Sequence, residues 1–334
     1  MCIRDRDWDN ARYRLESCTA DDTCTFVGET GAPSQSANAV QQVKATTSFG
    51  SQYGYSLGLS EDGQTLAGGA LGESTIEFDE EGRPAECVDE EENPITCDQL
   101  VASGTVLIFD LDDESGEIGS FLKAFNADEG DALGWSLDIT EDGTKLVSSA
   151  VFEDSNSIDS PDNNDAESSG AAYVFAKDDM GAWPLPGTTV PYLKASNVEA
   201  EDFFGAVVSI SGDGTRIAIS ATAEDSNATG IDGDQANNDA ENAGAVYIFR
   251  DVLGSWEQEA YIKASNTDAE DLFGQSLTLN HAGDLLIVGA PGESSADTTD
   301  QSDNSKNGSG AVYVFTRAGE VWSQTAFLKA SNAD

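Results

Sequence analysis

A phrase that returns at a near-constant interval constrains this chain more than any other feature of it. YIKASNTDAEDLFG occupies residues 261 to 274, YLKASNVEAEDFFG residues 192 to 205 and FLKAFNADEGDALG residues 121 to 134, with FLKASNAD at 327 to 334. Aligned on the closing glycine, Gly54, Gly134, Gly205 and Gly274 stand about 70 to 80 residues apart, and similarity at a fixed internal period denotes a repeat architecture.

The order of segments within a period is constant. An alternating run comes first: YGYSLGLS, LGWSLDIT, FGAVVSIS or FGQSLTLN. A tight turn follows, EDGQ, EDGT, GDGT or HAGD, and its Asp-Gly chemistry favours a hairpin. An apolar strand comes next (TLAGGA, KLVSSA, RIAISA, LLIVGA), then a polar insert, then GTVLIF, GAAYVF, GAVYIF or GAVYVF. The last strand carries the Lys-Ala step of the phrase, as in Lys194-Ala195 and Lys263-Ala264. That makes four strands per period and no helical periodicity.

Four antiparallel strands repeated radially are the blades of a β-propeller, so the predicted fold is all-β. A β-solenoid repeats at shorter periods, and a sandwich does not repeat its strands so faithfully. The blades are placed at residues 43–125, 126–195, 196–265 and 266–334. Leu57, Leu137, Val208 and Leu277 on the first strands, and Val106, Val174, Ile248 and Val314 on the third, are expected to be buried. Lys123 with Asp131, Lys194 with Asp202 and Lys263 with Asp271 recur at one spacing across the crossing between blades. They read as a structural clamp, the carboxylate accepting backbone N–H groups in the turn, rather than as a ligand-binding row.

These residues carry a family resemblance. The chain resembles the FG-GAP repeat proteins, bacterial relatives of the integrin α-chain propeller. Phe204-Gly205 and Phe273-Gly274 match the FG half, and Gly289-Ala290-Pro291 matches the GAP half. The latter decays to Gly69-Ala70-Leu71, Ser149-Ala150-Val151 and Ser220-Ala221-Thr222 elsewhere. Such propellers usually close seven blades, so the four here read as a fragment. Integrin-type blades also carry a D-x-D-x-D-G calcium loop between their first two strands. In this chain that loop has shrunk to a turn such as Ser211-Gly212-Asp213-Gly214, and the departure counts against integrin-like calcium binding.

Outside the repeats, MCIRDR opens the chain as neither a signal peptide nor a strand, and residues 1–7 read as a non-native leader. Residues 8–42 look like two strands joined by a loop between Cys18 and Cys24, either the end of a fibronectin-like module or a degraded blade. Cys18 with Cys24, and Cys87 with Cys97, sit in polar, turn-rich stretches, and two local disulfides in an oxidising compartment are the preferred reading over free thiols.

Charge excludes some partners. Asp and Glu number 62 against 16 Lys and Arg, a formal net charge of -46. Nucleic acid and anionic membrane surfaces are repelled by such a field. No apolar run approaches the roughly 20 residues of a membrane helix.

Catalytic motifs dissolve into the repeat. Gly54-Tyr55-Ser56-Leu57-Gly58 matches a nucleophile elbow, yet the same register recurs at Gly134-Trp135-Ser136 and Gly274-Gln275-Ser276 without the required helix. His281, the single histidine, lies in a turn where other blades have Glu61, Glu141 and Gly212. A Ser-His-Asp triad would have to use it. Asp138 is the one acid on the first strands.

Function is therefore sought in what differs between blades, which is the inserts. Asp225, Asn227, Asp232, Asp234 and Asp239 supply oxygen ligands amid turn-forming glycines, and two readings stay open: a calcium site, or a hydrated Asx-turn loop. The longest insert runs from Ala70 to Gly104 and carries Cys87, Cys97 and the run DEEEN, a candidate partner-contacting surface. The expected protein is a non-enzymatic binding or adhesion module of the bacterial cell surface or exterior, offering a propeller rim to a protein or glycan. The alternatives are a structural surface or stalk module, and a propeller-type polysaccharide-acting enzyme.

Overall fold

The computed structural model describes residues 2–4, 14–18, 24–29, 52–73, 102–111, 118–296 and 301–331. Two compact units are present. In the first, β1 (Cys2–Arg4), β2 (Arg14–Cys18) and β3 (Cys24–Glu29) form a three-stranded antiparallel sheet in chain order. The opening run thus contains a strand, against the reading above: Ile3 pairs with Leu15 and Cys2 with Glu16, because a neighbouring strand offers an edge that local propensity does not reveal. Cys18 and Cys24 are register partners across β2 and β3. Cys87 and Cys97 lie outside the described residues.

The second unit holds four sheets of four antiparallel strands. The first comprises β4 (Tyr53–Leu59), β5 (Thr65–Ala70), β6 (Thr105–Asp110) and β7 (Ser120–Leu122). The second comprises β8 (Leu137–Ile139), β9 (Lys145–Ala150), β10 (Ala171–Ala176) and β11 (Tyr192–Leu193). In the third are β12 (Phe204–Ile210), β13 (Arg216–Ala221), β14 (Ala245–Val252) and β15 (Ser255–Ile262). The fourth holds β16 (Ser276–Leu279), β17 (Leu285–Ala290), β18 (Ala311–Ala318) and β19 (Val321–Leu328). Each strand pairs with the next in sequence, and no helix occurs among the described residues. These are propeller blades.

The first hairpin of each blade is set by local chemistry. In the third sheet the Ser211 hydroxyl donates to Asp213 Oδ1, which also accepts the Thr215 N–H at 3.0 Å. Gly214 completes that turn at φ 67°, a region open to glycine without a Cβ clash. Successive turns are also tied to one another: the Glu61 N–H donates to Glu141 O, Glu141 N–H to Gly212 O and Asp213 N–H to His281 O.

Three apolar clusters fill the spaces between consecutive sheets. Ile108, Leu137, Leu146 and Tyr173 belong to the first, Val174, Val208, Ile217 and Tyr247 to the second, and Ile248, Phe273, Val288 and Tyr313 to the third. Burying such a side chain contributes roughly 1.5–3 kcal/mol against leaving it in water.

Burial follows the neighbours. Leu137, Val208, Val106, Val174 and Ile248 are buried as expected. Leu57 is not: it is 63% exposed. Leu277 and Val314 are half-buried. Each internal sheet contributes both faces to these clusters, whereas Leu57 of β4 and Val314 of β18 lie on faces that contribute to none of them. Ile287, Val312 and Leu328 are exposed on that same last face.

Candidate functional site

The crossing between blades turns the repeated phrase into a buried polar network. In the third sheet Lys263 Nζ donates to Glu224 Oε2 at 2.7 Å, with both side chains almost wholly buried. The Tyr261 hydroxyl donates to the other Glu224 oxygen at 2.7 Å, and Asn197 Nδ2 donates to it at 3.1 Å. Asn197 Oδ1 in turn accepts the Tyr247 hydroxyl at 2.7 Å. One junction earlier the same bonds join Lys194, Glu153, Tyr192, Asn126 and Tyr173. One junction later they join Lys329, Glu293, Asn266 and Tyr313. So the lysine of the phrase pairs with a glutamate that opens the insert, and not primarily with the aspartate eight positions on.

Sequence reasoning missed those glutamates. The available signal was their position: Glu73, Glu153, Glu224 and Glu293 each stand three residues after Ala70, Ala150, Ala221 and Ala290. In the first sheet Lys123 donates to Ser103 Oγ and to Gly104 O. Burial pulls its pKa down to about 8, against the opposing charges of Glu73 and Asp131.

The aspartates split in behaviour. Asp131 and Asp271 accept the N–H of Asp128 and Asp268, as a turn clamp would. Burial, the larger influence, nevertheless pushes both carboxyls up to about 7. Asp202 is buried, and its Oδ2 has no hydrogen-bond partner. Burial first, then Glu224, Glu199 and Asp225, pushes its carboxyl up to about 8, with Lys263 opposing. From the usual carboxylate range up to about 8 the native state keeps a proton that the unfolded chain releases. Stability therefore falls as pH rises through that window and levels off above it. Asp202→Asn is expected to raise the melting temperature more at pH 8 than at pH 5; an equal change at both would refute the linkage.

Candidate catalytic groups are held in the scaffold. Ser56 Oγ donates to Gly134 O at 2.6 Å, and Ser136 Oγ accepts the Val208 N–H at 3.1 Å. Asp138 Oδ2 accepts both the Ser209 hydroxyl and the Ile210 N–H, tying the second sheet to the third. His281 is exposed, with Nδ1 2.7 Å from Glu141 Oε2.

Three of the five insert residues hold backbone with a side-chain oxygen, and the other two bond through their own N–H groups. Asp225 Oδ1 accepts the Asn242 N–H, Asp232 Oδ1 the Tyr261 N–H and Asp234 Oδ1 the Ala236 N–H. The Asn227 and Asp239 N–H groups both donate to Asn237 Oδ1. Among the described residues no group of three or more His, Cys, Asp or Glu is arranged to hold a metal ion. Asp234 and Asn237 make Asx turns, each accepting the N–H two residues on, while Asp225 and Asp232 tie the insert to Asn242 and Tyr261. Calcium is tested by thermal unfolding at fixed ionic strength. A rise specific to calcium, removed by Asp232→Asn and Asp234→Asn, would carry the metal reading; equal rises with sodium assign the effect to screening.

Two of the inserts meet at a groove. Between the second and third sheets lies an open cleft of about 660 Å³. Asn156, Ser157 and Ile158 from one insert and Gln235 and Ala236 from the next form its walls, with Trp256 and Gln258 of β15 beside them. Gln258 Nε2 donates to Ser196 Oγ at 2.9 Å, and Ser196 Oγ donates to Gln235 Oε1. No helix among the described residues is long and apolar enough to cross a membrane.

Blades of this strand order, joined by a repeated buried Glu–Lys pair, define a β-propeller repeat protein. The family model for the FG-GAP repeat matches residues 188–249 and 256–315. Each match starts on or beside the last strand of one blade and ends on the third strand of the next, so the chain carries FG-GAP repeats. No curated protein matches the chain. Among solved structures it is similar to the periplasmic gluconolactonase PpgL of Pseudomonas aeruginosa, with 13% identity and a TM-score of 0.45, over 99% of this chain and 68% of that one. It is also similar to a putative 6-phosphogluconolactonase of Bacteroides uniformis, with 12% identity and a TM-score of 0.41, over 84% of this chain and 57% of that one.

Proposed function

We propose that the protein is a non-enzymatic binding or adhesion module of the bacterial cell surface or exterior, presenting its inserts at the blade rim to a protein or glycan. One observation carries the reading. The buried acids that could serve chemistry recur from junction to junction as Glu153–Lys194, Glu224–Lys263 and Glu293–Lys329 pairs. A feature repeated at every joint belongs to the scaffold, and Asp138 is likewise spent between sheets. What varies is the inserts, and they line the cleft. The net charge of -46 disfavours nucleic acid and anionic lipid as partners.

The test is saturable binding of the full chain to arrays of purified surface proteins and of glycans at physiological ionic strength, with product release followed on the glycans. Binding without turnover is expected. Turnover that rises with enzyme concentration would establish catalysis instead, and an absence of saturable binding to both classes would favour a spacer role.

A further inference from the structure

We infer that the cleft between the second and third sheets is a subsite for a neutral glycan, with Trp256 as its stacking platform. The inference rests on the binding reading above and names the ligand class of that site.

Three observations converge there. The first is the indole. Trp256 and its counterpart Trp322 occupy the same place on β15 and β19. Trp322 is 4% exposed and its Nε1 donates to Glu259, so it belongs to the core. Trp256 is only partly buried and lines the cleft, with the Lys145 ammonium 5.8 Å from its ring centroid. An aromatic ring with open surface suits the C–H face of a pyranose.

The second is the polar lining. Asn156, Gln235, Gln258 and Ser196 surround the platform. Amides and hydroxyls both donate and accept, as sugar hydroxyls do. The Gln258–Ser196–Gln235 relay fixes how these groups point. An equivalent relay, Gln324–Ser265–Gln301, recurs in the next blade beside the buried Trp322. The relay is thus scaffold, and the partly open ring together with Ile158, itself 55% exposed, distinguishes this cleft.

The third is charge. The two cationic groups at the cleft are already paired, Lys194 with Glu153 and Lys145, beside the indole, with Asp251. Glu199 stands at the wall, in a chain of net charge -46. Uronic or sulfated sugars find no free cation and meet a repulsive field. A volume of about 660 Å³ accommodates a short oligosaccharide.

The experiment titrates the full chain with cellohexaose, laminarihexaose and maltohexaose, following indole fluorescence and heat, beside polygalacturonate and an uncharged Gly-Ser-Asn peptide. At least one neutral hexasaccharide is expected to bind, and polygalacturonate is not. Trp256→Ala should weaken that binding at least about tenfold, and Trp256→Phe should restore part of it. Gln258→Ala should weaken it with an unchanged melting temperature, which separates a binding role from a folding one. Binding of the peptide alone, of no hexasaccharide, or of a hexasaccharide unaffected by Trp256→Ala overturns the assignment. The wider binding reading would still stand if the arrays register a protein partner, so the two can fail separately.

Discussion

Lys263→Met is expected to remove about 3 to 5 kcal/mol of unfolding free energy, because it leaves a buried carboxylate without its counter-charge. Lys263 is 0% exposed and bonds Glu224 at 2.7 Å. Tyr261 and Asn197 go on donating to Glu224, and neither brings positive charge. Burial pulls the lysine's pKa down, and the nearby acids, Glu224 first, hold it up, so the lysine depends on its partner for staying charged. The double variant Lys263→Met with Glu224→Gln should recover much of the loss, since no lone ion remains. Urea unfolding of the three proteins decides the matter. A single variant within about 1 kcal/mol of the parent would show that water reaches the pair.

The second large effect is at Gly244, where Gly244→Val is expected to cost on the order of 3 kcal/mol or more. Gly244 has φ 80°, and a Cβ there would lie 2.3 Å from Phe273 O. The turn leading into the next blade lies against this residue: Phe273 N–H donates to Ala243 O at 2.9 Å. Gly254 supplies the comparison. It has φ 90°, but a Cβ would meet nothing within 4 Å. Gly254→Val carries backbone strain alone, and the difference between the two variants isolates the close approach of the blades. Similar losses at both sites would mean that the junction yields.

The strands and first turns were legible because their determinants are local. Ser211, Asp213 and Gly214 fold their own hairpin, and an alternating run announces a strand wherever it stands. The partner of Lys263 was not, because Glu224 lies across a whole insert and only folding brings them together. Leu57 and Val314 match the pattern of their buried counterparts, yet their exposure depends on what lies against the sheet, which no blade encodes by itself. The cleft was half legible. The inserts were singled out from sequence, but Trp256 and Trp322 look alike as letters and differ in burial.

The uniformity of the joints also bears on how such a chain can change over generations. The Lys-Ala-x-Asn step fixes which glutamate, tyrosine and glycine must receive it, and those receivers stand at matching places in successive blades. A recombination event inside one copy of that step, aligned on another, would join halves that already fit. Exchange would therefore insert or delete one entire blade while leaving every seam intact. The inserts would travel with each blade as cargo, free to diversify wherever they do not touch the seam, as their opening glutamates and the carbonyls of Pro161, Gln235 and Gln301 do.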